Sequence, residues 1–163
     1  MSRTIESDAI QEAFLDALRA EGAVVENMSE VAGHTSYPEL RDLLRSLGRA
    51  GRNVFFVEGV GMIQVHVRTE PPGWWNVLRS VKEELDMLAK HYFVFLVGRK
   101  DKYVADGYIA SDFNGPPFVK HPGIEATKFT INEKQHLDPD ARLLSVSKIA
   151  KVLLGLRKVP EAT

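Results

Sequence analysis

The stretch from Asn53 to Trp75, NVFFVEGVGMIQVHVRTEPPGWW, sets the tightest limit on what this chain can become. An apolar run, Val54 to Val57, is followed by Glu58-Gly59-Val60-Gly61 and then by strict alternation. Ile63, Val65, Val67 and Thr69 fall on one side of the second run and Gln64, His66, Arg68 and Glu70 on the other, because successive side chains of a strand point to opposite faces. The two glycines suit a tight reversal, so the segment predicts a β-hairpin with a buried aliphatic row and four polar groups in line. Pro71-Pro72-Gly73 ends the second strand, since proline brings no donor to a ladder.

The hairpin needs a core to lie on, and 163 residues with 44% hydrophobic and 26% charged content can supply one. We expect a single α/β domain over residues 1–158 and a frayed tail over 159–163. No cysteine is present, which excludes disulfides and thiolate metal sites and agrees with a reducing cytoplasm. The start, MSRTIESDAIQEAF, carries acids where a signal peptide needs an apolar core, and no run approaches the roughly 20 apolar residues of a membrane span. The expectation is a soluble, cytoplasmic protein without a membrane partner. Net charge is −1, but residues 1–62 hold six Lys/Arg against ten Asp/Glu and the remainder fifteen against twelve. The later part can therefore form a local basic surface, or simply carry scattered solvated charge.

Taken in order, Ser7 is a candidate cap for a helix to about Glu21, with Ile10, Phe14 and Leu18 on one face and Gly22 as its stop. Ala23 to Met28 reads as a short strand. Ser36-Tyr37-Pro38-Glu39 has capping-box spacing ahead of Leu40, Leu43, Leu44 and Leu47, with Gly48 closing that helix. After the hairpin, Leu78, Val81, Leu85 and Leu88 predict a third helix over about Trp75 to Lys90. Tyr92 to Val97 is apolar on both alternating faces, as in a strand covered on both sides, and forms a second hairpin with Tyr103 to Ala110. A late strand over Ala126 to Asn132 and a final helix from Ser145 or Ser147, carrying Ile149, Val152, Leu153 and Leu156, complete a mixed sheet flanked by helices.

Compact signatures are missing: there is no GxGxxG, P-loop, HExxH or cysteine cluster. Asp106 interrupts an apolar strand and marks a bulge, a turn or a functional carboxylate. Glu133-Lys134-Gln135-His136-Leu137-Asp138 holds enough polar groups for a site but matches no ligand spacing. His34, His121 and His136 sit near loop signals and read as exposed. Of Trp74 and Trp75, one can anchor the core while the other faces a groove.

Strand, turn and strand ending in Gln64-Val65-His66-Val67-Arg68-Thr69, then a Gly-Trp segment, a helix and the strand Tyr92-Phe93-Val94-Phe95-Leu96-Val97 together resemble the core of the PD-(D/E)XK nuclease-like superfamily. The resemblance covers about Asn53 to Ala110 and implies a restriction-endonuclease-like fold and nucleic-acid recognition or processing, with DNA rather than RNA as partner. In that superfamily an Asp on the first hairpin strand and an acid two residues before a Lys on the second hold a divalent metal, whose charge activates water and stabilises the scissile phosphate. This chain departs from the pattern: Arg68 stands where the lysine belongs, His66 where the acid belongs, and Asn53 near the aspartate. Glu58 and Glu70 are the nearest carboxylates able to replace the missing ligands and bind Mg²⁺. The resemblance thus gives a catalytic set of Glu58, His66, Arg68 and Glu70, and nucleic-acid contacts through Arg68, Trp74, Lys82, Lys128, Lys148 and Lys151. Three alternatives stand beside it. One is a noncatalytic, partner-binding homo-oligomer that keeps the scaffold. In another, Gln64 to Glu70 form only the solvated face of a strand. The third is a small-molecule-binding domain, which needs a pocket that a sequence does not show.

Overall fold

The structure, a computed structural model, describes residues 3–30, 37–88, 90–99 and 105–156. Its centre is a five-stranded mixed sheet in which β1 (Val25–Asn27), β2 (Val54–Val57), β3 (Gly61–Arg68), β5 (His91–Gly98) and β6 (Ala105–Ala110) lie side by side in that order. Pairing is antiparallel throughout except between β3 and β5, which run parallel with Gln64 opposite Phe93 and His66 opposite Phe95. Parallel neighbours need a long crossover. Here it is made by β4 (Trp74–Leu78) and α3 (Arg79–Asp86). β4 belongs to a second, three-stranded sheet with β8 (Lys128–Asn132) and β7 (Gly123–Ile124).

The β2–β3 turn explains its own sequence. Gly59 and Gly61 both have positive φ, 83° and 121°. A Cβ on Gly61 would stand 2.6 Å from the Lys90 carbonyl oxygen, so glycine is required by backbone conformation and by space.

Each face of the central sheet is covered differently. One face carries Phe55, Val57, Ile63, Val65, Val94 and Leu96 beneath α1 (Arg3–Ala20) and α5 (Val146–Leu154), whose Ile10, Phe14, Leu18, Ile149 and Leu153 complete an apolar core. The opposite face carries Phe93, Phe95, Val97 and Tyr108, packed against Trp75, Val77 and Ile131 of the second sheet. Toward its other end, Val54 and Met62 meet Leu40 and Leu44 of α2 (Pro38–Ser46) and Val81 and Leu85 of α3. The molecule is thus a mixed α/β structure with the mixed sheet as its middle layer. None of the described helices is long and apolar enough to cross a membrane.

Several local expectations change. The first helix begins at Arg3, placing Ser7 inside it, and ends as expected at Gly22, whose φ is +86°. Ser36 of the supposed capping box lies outside the described residues, and α2 starts at Pro38 with no side-chain cap from Tyr37. The segment expected to open the third helix is the strand β4: Trp75 and Val77 are buried while Trp74 and Asn76 are exposed, and Trp75 pairs with Ile131. The helical stripe Leu78, Val81, Leu85 overlaps this period-two signal, and pairing with a strand over fifty residues away decides between them. Ser145 caps α5 by accepting from the Lys148 N–H at 3.0 Å. The tail expected from residue 159 lies outside the described residues.

Candidate functional site

The polar row of β3 is extended, as expected, but it does not face water. Gln64 is 2% exposed and His66 9% exposed, because the second sheet and the helices beside it cover the face to which they point. Their surroundings are apolar. Val54 pairs with Gln64 across the hairpin, and the Phe95 ring stacks on His66 at 5.6 Å between centroids. A solvated row with cross-strand charge pairs is therefore replaced by a row enclosed among apolar groups. Burial pushes the His66 imidazole down to about 3, so it is neutral at physiological pH. Gln64 Oε1, His66 Nε2 and Arg68 Nε are buried with no hydrogen-bond partner among the described residues. Buried polar atoms are paired in most native structures, so three unpaired ones along a single strand mark an unusual site.

The row reaches an opening at its C-terminal end. β2 stops pairing with β3 at Gln64, and past it the Asn53 amide donates to the Val65 carbonyl at 3.1 Å. Beyond that point His66, Val67 and Arg68 meet Trp74, Trp75 and Asn76 around a cleft of about 280 Å³. Trp75 is the core member of the pair: it packs on Phe95, and its indole N–H donates to the Leu96 carbonyl at 3.2 Å. Trp74, 41% exposed, presents its ring to the cleft rim. Gly73 permits this arrangement, since a Cβ there would lie 2.2 Å from the Trp75 ring.

The remaining expected residues do not converge on that cleft. Glu58 is exposed in the β2–β3 turn and Glu70 is exposed beyond the far end of β3. Eight strand residues separate them, about 26 Å at the usual rise, so one ion cannot bind both. Among the described residues no group of three or more His, Asp or Glu side chains stands where it could hold a metal ion. Mg²⁺ requires hard oxygen ligands, whereas the residue that the resemblance would set at the acid position is a neutral, enclosed imidazole; this donor set does not fit it. Asn53 lines a different, polar groove of about 350 Å³ with Asp8, Glu12 and Arg19.

The expected basic residues are also dispersed. Lys82 is engaged, donating to Asp86 at 2.6 Å and lying over the Phe113 ring at 5.2 Å. Lys128 faces Glu125 at 3.9 Å. Lys148 and Lys151 are on α5, the helix covering the opposite face of the sheet, with Lys151 4.0 Å from Glu21. Arg68 and Trp74 are the two expected contacts that share a cleft.

Another polar cluster, across the Pro71–Gly73 turn from the cleft, escaped the sequence reading as a unit. Arg99 donates through Nε to both oxygens of Asp106 at 3.0 Å and through Nη2 to Glu133. Glu133 also accepts from the Tyr108 hydroxyl at 2.5 Å and from the Gly73 N–H at 2.9 Å. Burial raises the Glu133 pKa, but the bonds from Arg99, Tyr108 and Gly73 outweigh it and hold the carboxyl below its usual range. Burial and then the Glu133 carboxylate raise that of Tyr108, keeping the phenol protonated. Asp106 does not interrupt β6, and the adjacent Gly107 pairs with Leu143 through bonds of 3.0 and 2.8 Å. His136, expected to be exposed, is 7% exposed and accepts the Asn132 N–H on Nδ1 at 2.8 Å. The isolated signals were Asp106 inside an apolar strand and the polar run from Glu133.

Comparison with known proteins gives no match: no family model, curated protein or solved structure is significantly similar to the chain.

Proposed function

We propose that this domain binds single-stranded nucleic acid at the cleft between the end of β3 and β4, on a nuclease-like scaffold of restriction-endonuclease type that no longer cuts. The observation carrying the reading is that Arg68 and the exposed indole of Trp74 line one cleft. An aromatic face accepts any base by stacking, while a guanidinium beside it engages phosphate as a planar donor fork. Arg68 Nε has no hydrogen-bond partner among the described residues, so no neighbouring carboxylate claims that edge of the guanidinium. The order of elements also supports the scaffold: the hairpin β2–β3, then α3, then the apolar strand β5 beside β3. The binding version is favoured over metal-dependent hydrolysis because His66 and Arg68 occupy the acid and lysine positions and Glu58 and Glu70 lie at opposite ends of a strand.

Fluorescence anisotropy with a labelled oligothymidylate at low salt tests this reading. Wild-type protein should bind with salt-dependent affinity. Trp74→Ala should weaken binding about tenfold, and Arg68→Gln should reduce the slope of log affinity against log salt by about 0.7. Absence of binding, or equal binding by wild type and Trp74→Ala, would refute it.

A further inference from the structure

We propose that the pocket between the Pro71–Pro72 turn and α4 (Glu133–His136) is a second binding site, for a small organic anion whose carboxylate or phosphate head is carried on a flat apolar body. The pocket holds about 570 Å³, within the range of small-molecule sites. Pro71, Pro72, Leu137 and Pro139 supply apolar walls. Its charged lining is Arg99, Lys134 and Arg142 against the single carboxylate of Glu133. Both oxygens of that carboxylate are already engaged: one takes the Gly73 N–H, the other the Tyr108 hydroxyl and Arg99. A ligand consequently meets donors and almost no available acceptor.

The donors are also held in place. Asp106 and Glu133 engage Nε and Nη2 of Arg99, which fixes the guanidinium and leaves Nη1 without a hydrogen-bond partner among the described residues. Arg142 approaches Asp106 only to 3.8 Å, beyond hydrogen-bond distance, and the Lys134 side chain is exposed. Counting Asp106, which lies behind Arg99 and not on the pocket lining, three cations face two carboxylates, a residual positive charge that one monoanionic head neutralises. Asp138 is not among the lining residues, and its Oδ1 accepts the Asp140 N–H at 2.9 Å. The inference does not rest on nucleic-acid binding, because it uses neither Arg68 nor Trp74.

The test is an NMR titration of the full chain with benzoate, phenyl phosphate and, as the neutral control, benzyl alcohol, following the backbone amides of Lys134, Leu137 and Arg142. The expected result is saturable shifts with one or both anions and none with the alcohol; the tighter anion identifies the head group. Arg142→Gln should weaken that anion about tenfold, and Lys134→Gln, at an exposed position outside the Glu133 network, should weaken it by a smaller factor. Trp74→Ala should leave anion binding unchanged while weakening oligonucleotide binding about tenfold, so the two sites succeed or fail separately. No saturable shift with either anion, equal response to benzyl alcohol, or wild-type affinity in both Arg142→Gln and Lys134→Gln would overturn the proposal.

Discussion

Two polar clusters flank the turn at Pro71 to Gly73, and they treat burial in opposite ways. On the Arg99 side, both oxygens of Asp106 and of Glu133 accept hydrogen bonds, and opposite charges lie in contact. On the β3 side, Gln64, His66 and Arg68 bring polar atoms into the interior with no partner among the described residues. A saturated network is rigid and costly to break, whereas unpaired buried groups carry a desolvation cost that only an added partner or an apolar replacement removes. The Arg99 cluster is therefore a fixed scaffold beside a pocket. The β3 row is a wall that carries polar atoms unpaired among the described residues, and its His66 and Arg68 border the cleft.

That contrast can be broken most sharply at Glu133. Glu133→Ala leaves the Arg99 guanidinium, the Tyr108 hydroxyl and the Gly73 N–H without their shared acceptor, and should cost about 3 kcal/mol or more in urea unfolding. A loss below about 1 kcal/mol would show that the network is not the scaffold described.

Acid sharpens the comparison next. The folded-state pKa of His66 lies below its unfolded value, so its contribution is fully present above about pH 6.5 and declines as the pH falls toward about 3, by at most about 1.4 kcal/mol per pH unit. Glu133, also held below its usual value, loses its contribution in a lower window, beginning near the ordinary carboxylate pKa of about 4.3. Stability between about pH 6.5 and about pH 5 should therefore fall in wild type and fall less steeply in His66→Phe, in which His136, whose pKa burial also lowers, still contributes. An equal slope in both would remove His66 as its source.

A smaller effect is expected at the head of the row. Gln64→Met exchanges a buried amide, whose Oε1 lacks a partner among the described residues, for an apolar side chain of similar length. It should raise unfolding stability by about 1 kcal/mol. Destabilisation by the same amount would mean that Gln64 is satisfied in solution.

Much of the central sheet was readable because its signals are local. Gly59 and Gly61 bracket the reversal, and Tyr92 to Val97 is apolar on both faces because both faces of β5 are covered. The fate of Gln64 and His66 was not local. Whether an alternating polar row meets water depends on what lies above it, and here that cover includes Trp75 and Val77, from a strand that the helical stripe beginning at Leu78 obscured. Trp74 and Trp75 divided as their adjacency suggested, one outward and one inward. The Arg99–Asp106–Tyr108–Glu133 network joins residues up to 34 positions apart, and no single window contains the pairing. Asp106 within an apolar strand and the polar run from Glu133 were its separate traces.

Moving the candidate site from the polar row to the Arg68–Trp74 rim depends on His66 being enclosed, and its ring can report this directly. Following the imidazole resonances of His66 by NMR across the acid range, assigned with a His66→Phe control, should show a neutral ring with no titration above about pH 4. A resonance titrating near pH 6.5 would place the ring in water, return Gln64 and His66 to the surface and contradict this description of the site.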